Sequence, residues 1–141
     1  MAVENFIIPL TGLLAASDLR TSQYYMVGLN SSGTVTPCVC GGAPGAQADP
    51  GFIGVLLNKP NTGEPCEIAA PGSICPVSMG ALAAVGSLLY VSTDGRAAVA
   101  ADTYYTIGLN LEASTAAGQI IRCIIWFPNS IADVSAFSNC A

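Results

Sequence analysis

Two stretches of similar pattern decide the fold of this chain: residues 25–37, YMVGLNSSGTVTP, and residues 89–100, LYVSTDGRAAVA. In each stretch, a run of apolar and aromatic residues is followed by a polar turn that ends in glycine, at residues 31–33 or 93–95, and then by a second run. A glycine-containing turn between two short runs of this kind is typical of a β-hairpin. The sequence therefore predicts one hairpin in each half of the chain.

The similarity between the halves continues beyond the hairpins. Residues 53–55, IGV, followed by residues 63–66, GEPC, parallel residues 107–109, IGL, followed by residues 118–123, GQIIRC. Each pair reads as strand, loop and strand, and no long helical periodicity lies between them. Self-similarity of this kind indicates a duplicated unit. We therefore predict an all-β fold, a small β-barrel or β-sandwich with a weak internal duplication.

The chain has 141 residues, which suffices for one domain with its own hydrophobic core. Residues 41–51, GGAPGAQADPG, contain repeated glycines and prolines, and this composition predicts a long surface loop. We divide the single β domain, residues 1–141, into an N-terminal arm (1–22), a first half (23–72), a second half (73–128) and a short C-terminal tail (129–141).

The composition excludes several classes of function. Charged residues make up only 9% of the chain, against about 25% in an average soluble domain, so we expect partners to cover much of the surface. The absence of histidine removes Ser–His and Cys–His nucleophiles, and we predict no enzymatic activity, no cofactor and no metal. A net charge of −5 disfavours nucleic acid as a partner, and no apolar run is long enough to cross a membrane.

Carboxylates are the remaining acid–base groups. Glu64 and Glu67 lie in one segment, and Asp94 and Asp102 flank another, but their spacing shows no catalytic pair. We interpret them as solvated turn residues.

Six cysteines are candidates for disulfide bonds. Their spacing lacks the C-x2-C turns of zinc sites, and six cysteines allow fifteen complete pairings. Free buried thiols are the alternative if the protein stays in a reducing cytosol. The candidate disulfide residues are Cys38, Cys40, Cys66, Cys75, Cys123 and Cys140.

Residues 120–127, IIRCIIWF, are apolar on both faces of a strand apart from Arg122. Both faces should therefore be covered, either in the centre of a sandwich or at a subunit interface. Trp126 is accordingly either a core aromatic residue or a partner hot spot. The residues predicted at a subunit or partner interface are Phe6, Ile7, Ile8, Leu10, Trp126, Phe127 and Phe137.

The order of motifs resembles a known family. Residues 80–98, GALAAVGSLLYVSTDGRAA, and residues 107–124, IGLNLEASTAAGQIIRCI, follow the glycine, alanine-rich turn, D-G-K/R hairpin and I-G-x-x-L pattern of one group of virion proteins. Over roughly residues 20–127 the chain is similar to the capsid decoration, or cement, proteins of tailed bacteriophages.

This resemblance implies a function and a location. Such proteins are small β modules, commonly trimeric, that bind the outside of the phage head and stabilise contacts between major capsid protein subunits. The expected partners are therefore the phage major capsid protein and further copies of the chain, with the protein made in the host cytoplasm and located on the outer capsid surface. An alternative prediction is a carbohydrate-binding head-fibre or adhesin-like β module that uses exposed Tyr and Asn side chains.

Overall fold

The structure is a computed structural model, and it describes residues 5–40, 48–49, 51–100 and 105–130. This part of the chain forms β-strands and contains no helix, so the predicted all-β class is confirmed. The strands are β1 (Pro9–Leu14), β2 (Met26–Leu29), β3 (Val35–Pro37), β4 (Val39–Cys40), β5 (Ala48–Asp49), β6 (Phe52–Leu56), β7 (Pro65–Ala69), β8 (Ile74–Ser78), β9 (Leu88–Val91), β10 (Ala97–Val99), β11 (Tyr105–Asn110) and β12 (Ile120–Ser130).

Two five-stranded antiparallel sheets make up most of the molecule in a sandwich-like arrangement. The first sheet has the order β1-β7-β6-β2-β3, and the second has the order β8-β12-β11-β9-β10. Each strand of the first sheet thus has a counterpart at the same place in the second. The weak duplication in the sequence corresponds to this repeated topology.

Equivalent backbone hydrogen bonds recur in the two sheets. Ala15, directly after β1, donates to Glu64 O at 2.9 Å and accepts from Gly63 N at 2.9 Å. Met79, directly after β8, makes the same two bonds with Gln119 O at 2.9 Å and Gly118 N at 2.7 Å. The backbone of the two halves therefore repeats residue by residue at these positions.

Each sheet curls until its two edges meet. Ala15 forms a parallel bridge with Val35 of β3, and Met79 forms a parallel bridge with Ala97 of β10. A segment that follows the first edge strand thus reaches the opposite edge, as in a small closed barrel. The contact is limited to this one bridge in each sheet, at the end of the edge strand.

The predicted hairpins are confirmed. β2 pairs with β3, and β9 pairs with β10, both in antiparallel register. Gly33 and Gly95 have φ values of 76° and 86° at the two turns, a backbone conformation that glycine adopts without steric cost.

Two hydrophobic clusters stabilise the sheets. The smaller cluster lies on one face of the first sheet, and the larger joins the other face of that sheet to the second half of the chain. The buried members of the smaller cluster are Ala15, Leu19, Val27, Val35, Leu56, Cys66 and Ile68. Those of the larger cluster include Met26, Phe52, Val55, Ala69, Val77, Met79, Leu89, Val91, Ile107, Ile121 and Ile125.

The long apolar strand β12 is covered on one face only. Ile121, Cys123 and Ile125 are buried in the larger cluster, whereas Ile120 is exposed and Ile124 is half-buried. The sequence predicted that both faces of this strand are covered. Within a single chain, only the face of Ile121, Cys123 and Ile125 is fully covered. The remaining face is the candidate for a subunit interface.

The predicted N-terminal arm and the predicted loop at residues 41–51 each contain a β-strand. β1 lies inside the predicted N-terminal arm, and β5 lies inside the predicted loop at residues 41–51, where it pairs with β4. The rest of that loop, apart from Gly51, and residues 131–141 lie outside the described residues.

Candidate interaction surfaces

The N-terminal segment presents three exposed apolar side chains, those of Phe6, Ile7 and Ile8; Phe6 is 62% exposed. Its backbone is fixed on the same chain, since Phe6 and Ile74 exchange two hydrogen bonds of 2.9 and 2.6 Å. Ile8 N also donates to Ser73 Oγ at 2.9 Å. The segment is therefore an ordered apolar surface. Leu10, predicted to belong to it, instead packs against the smaller core cluster.

Trp126 is half-buried on the uncovered face of β12. Its indole Nε1 donates to Thr106 Oγ1 on the neighbouring strand β11 at 3.4 Å. This bond leaves part of the ring available on the sheet surface. The side chain of Phe127 and the whole of Phe137 lie outside the described part of the chain.

A second apolar surface was missed in the sequence analysis. Leu82 and Val85, in the loop between β8 and β9, are 68% and 64% exposed. This loop pairs with the loop between β11 and β12 through a bridge between Ala83 and Ser114. Residues 81–91 form an apolar run, but the run does not show which side chains face solvent.

Asn110 holds these two loops in place from a fully buried position. Its Oδ1 accepts from Ser87 N at 2.6 Å, and its Nδ2 donates to Ala84 O at 2.6 Å and Glu112 O at 2.9 Å. One side-chain amide thus binds three backbone groups that belong to both loops, and it orders the surface that carries Leu82 and Val85.

Each arginine on the described surface is paired with a carboxylate. Arg20 pairs with Asp18, Arg96 with Asp94, and Arg122 with Glu112. Partial burial disfavours the charged form of Asp94, but hydrogen bonds from Arg96 and Ser92 outweigh it and lower the pKa of Asp94 to about 2.

A shallow depression of about 230 Å³ lies beside the Arg122–Glu112 pair and is lined by Tyr24, Pro76 and Ile120 as well. Arg122 donates to Glu112 through both its backbone N, at 3.0 Å, and Nη1, at 3.2 Å. The charged groups of the depression thus largely satisfy each other. Glu64, considered as an acid–base group, accepts from Asn61 N at 2.8 Å in a turn, while Asp102 lies outside the described residues.

The described cysteine side chains are buried. Cys66, Cys75 and Cys123 are free thiols, and Cys38 is also buried. The side chain of Cys40 and the whole of Cys140 are outside the described residues. Within the described ranges, no group of three or more cysteine or acidic residues could hold a metal ion.

Cys75 and Cys123 lie directly opposite each other on β8 and β12. The bonds from Met79 N to Gln119 O and from Ile125 N to Ser73 O lie in the same ladder, and the alternation makes Cys75–Cys123 a hydrogen-bonded pair. Such pairs keep Cβ atoms about 5.5 Å apart, whereas a disulfide requires about 3.5–4.5 Å. The register therefore favours two thiols at this position.

We expect Cys75 and Cys123 to resist alkylation in the folded protein. Burial raises the pKa of each thiol to about 12, whereas a thiol in the unfolded chain has a pKa of about 8.5. The stabilising effect of keeping these thiols neutral is complete below that pH and is lost as the pH rises towards 12. Mass spectrometry after iodoacetamide treatment at pH 8 should show both residues modified only after denaturant is added. Rapid labelling of either residue in the folded protein would contradict this prediction.

The comparisons with known proteins concern the fold. No family model and no curated protein matches the chain. Among solved structures, the chain matches the crystal structure of the head fibre gp8.5 N base of bacteriophage phi29 with a TM-score of 0.58. The chain is similar in fold to a phage head-fibre base. The match covers 85% of this chain and 94% of the phi29 chain, at 18% sequence identity.

The match to the fibre base extends over both halves of this chain. Because 85% of the chain is covered, the similarity cannot be confined to one of the two sheets. It includes residues from both halves of the duplicated fold.

The described residues form no helix long and apolar enough to span a membrane.

Proposed function

We propose that this protein is a structural component of a bacteriophage head, bound to the outer surface of the shell, where it forms the base of a head-attached assembly. The observation that carries this proposal is the similarity to the phi29 head-fibre base over 85% of the chain. The sequence resemblance to capsid decoration proteins supports the same location. The proposed partners are the major capsid protein and further copies of the chain, in a homotrimer.

The surfaces support a role in binding to a large partner. The segments that carry Phe6, Leu82 and Val85 are tied to the rest of the fold by backbone hydrogen bonds, while these side chains face solvent. Ordered apolar side chains lose little conformational entropy when a partner covers them. Because the described arginines are paired with carboxylates, a partner that covers them would not bury an unpaired arginine.

Two roles on the head are distinguishable, those of a fibre base and of a cement protein. The comparison favours the head-fibre alternative, because the phi29 structure is the base of a fibre. We therefore propose attachment as the primary role. Cementing of neighbouring capsid subunits would be an additional effect of the same contact.

Carbohydrate binding, the other part of that alternative, has weaker support. The depression beside Tyr24 is small, and its Arg122 and Glu112 groups bind each other. A sugar would have to displace this pair. We therefore expect no binding of the isolated protein on a glycan array.

We expect the purified protein to co-sediment with heads of the corresponding phage from which it has been removed. Phe6→Asp places a carboxylate in the N-terminal apolar surface, and Leu82→Asp places one in the loop surface. Whichever of these surfaces faces the head, its variant should bind heads at least tenfold more weakly than the wild type. Thr62→Asp, at an exposed turn, is the matched control. A wild-type protein that remains in the supernatant at micromolar concentration contradicts the proposal.

The same particles separate the two roles. Heat-induced DNA release is compared between heads with and without the bound protein. An unchanged release temperature supports a fibre base, and a higher one indicates cementing.

A further inference from the structure

The second half of the chain contacts the first half through the turn of its hairpin and the end of β8. The turn of the second hairpin docks on the start of β2, where Met26 N donates to Gly95 O at 2.8 Å. Gly95 is buried, and a Cβ placed on it would lie 3.2 Å from Cys38 O and 3.4 Å from Pro37 Cβ. The turn thus fits closely against the first half.

A second bond fixes the junction at the edge of β8. Tyr24 O accepts from Ser78 N at 2.9 Å, while Tyr24 N donates to Leu56 O of its own half at 2.6 Å. Tyr24 has a φ of 67°, in the left-handed region that non-glycine residues rarely adopt. One residue therefore joins both sheets through its backbone.

The duplication assigns a counterpart to each group in this junction. Gly33 and Gly95 occupy the same position in the two hairpin turns, and Gly86, with a φ of 80°, repeats the conformation of Tyr24. Gly86 N donates to Asn110 O at the end of β11, as Tyr24 N donates to Leu56 O at the end of β6. The remaining counterparts are Leu88 for Met26, Leu14 for Ser78 and Val99 for Pro37.

The counterparts are uncovered in the single chain. Residues 31–33 and Gly86 are exposed, Leu14 is 45% exposed and Val99 is 42% exposed. Ala15 N bonds to the O atom of Glu64, the residue directly before β7, so strand alternation turns the Leu14 amide towards the free edge of β1. In the second half, the equivalent amide of Ser78 is the one that Tyr24 binds.

The sheet faces show the same difference. Met26, Val55 and Ala69 of the first sheet are fully buried in the cluster shared with the second half. Their counterparts on the second sheet are half-buried; these are Leu88, Leu109 and Ile124. The face that the second half covers in the first sheet thus has an uncovered equivalent in the second.

We propose that the junction within the chain recurs between copies of the chain. The turn at residues 31–33 of one copy docks on Leu88 and Val99 of the next, and Gly33 O accepts from Leu88 N. In the same contact, Gly86 O accepts from Leu14 N of the docking copy. The interface is heterologous, because it joins the first half of one copy to the second half of another.

This inference rests on the duplication, and only the self-association part of the proposed function depends on it. Binding to phage heads is measured separately. A protein that binds heads as a monomer would overturn the interface and leave head attachment intact.

The variant Gly33→Asn tests the docking turn. Within the described ranges, no atom lies within 4 Å of a Cβ at Gly33, and asparagine tolerates its φ of 76°, so the fold should persist. In the interface this side chain would meet the neighbouring copy where Gly95 has no space for one. Gly118→Asn, at an equally open glycine with a φ of 85°, is the matched control.

The variant Val99→Lys tests the receiving surface by placing a charge opposite the docked turn. Sedimentation velocity should show a multimer for the wild type and for Gly118→Asn. Self-association of Gly33→Asn and of Val99→Lys should be at least tenfold weaker, with unchanged circular dichroism spectra. A monomeric wild type, or variants that associate as tightly as it does, would overturn the interface.

Mixing the two variants identifies the direction of the contact. Val99→Lys retains an intact turn, and Gly33→Asn retains an intact receiving surface. A one-to-one mixture should therefore form heterodimers at concentrations where each variant alone is monomeric because of its weaker self-association. A mixture that stays monomeric would overturn the head-to-tail arrangement.

Discussion

Replacing Asn110 by aspartate is expected to destabilise the protein by about 4 kcal/mol, since buried polar groups that lose their partners carry a large desolvation penalty. The fully buried amide donates to two backbone carbonyl oxygens, those of Ala84 and Glu112. A carboxylate would place negative charge against both. Urea unfolding at pH 7 measures the loss.

Two further measurements test this explanation. Burial raises the pKa of the new carboxyl group in the folded state, so the destabilisation should be greatest at neutral pH and should shrink as acid protonates the group. Asn58→Asp is the control, because Asn58 also bonds backbone groups, Pro65 O and Glu67 N, but it is only half-buried and its bonds are exposed. Equal losses for both variants would show that burial of Asn110 has no special importance.

Replacing Gly108 by alanine is expected to destabilise the protein by about 3 kcal/mol, the upper part of the range for overpacked positions. The added Cβ would overlap Ile124 O on the neighbouring strand β12. Because the obstacle is backbone, the sheet itself must move. The corresponding decrease in melting temperature is roughly 10 °C.

Gly54, the counterpart of Gly108 in the first sheet, provides an internal repeat of this experiment. A Cβ at Gly54 would overlap Ala69 O on β7, so Gly54→Ala should be similarly destabilising. Gly51→Ala is the control, since no atom of the described residues lies within 4 Å of its added Cβ. A melting temperature of Gly108→Ala within 2 °C of the control, about 0.5 kcal/mol by the same conversion, would contradict the steric explanation.

Both positions show how the fold supports the proposed function. Asn110 and Gly108 lie on the same strand, between the core and the loops that carry Leu82 and Val85. Loss of the Asn110 bonds would release these loops before the sheets unfold. Binding to phage heads by Asn110→Ala therefore reports on the loop surface as well as on stability.

Much of the fold was predictable because its signals are local. The turn glycines Gly33 and Gly95 and the apolar runs beside them specify hairpins through the conformations of a few adjacent residues. The apolar segment at Phe6 was recognisable from its composition, and the structure shows its side chains exposed. Leu10, four residues later, packs against the smaller core cluster, because burial depends on which side of β1 faces the core.

Other features depend on residues distant in the chain. Nothing near Tyr24 in the sequence indicates a left-handed backbone, which arises from bonds to Leu56 and Ser78. The exposure of Leu82 and Val85 depends on how Asn110 holds two loops together. Cys75 and Cys123 face each other because of the register of β8 and β12, which the spacing of the cysteines in the sequence does not show.

The sequence by itself determined an all-β chain with two similar halves, since strand propensity, alternation and turn glycines act over a few residues. Only the tertiary structure decided that the halves meet through one turn and leave the equivalent turn exposed. This asymmetry follows from the covalent order of the halves: the first half has a partner at its β2 end within the chain, and the second half has none among the described residues. The same order leaves the second half an uncovered apolar face.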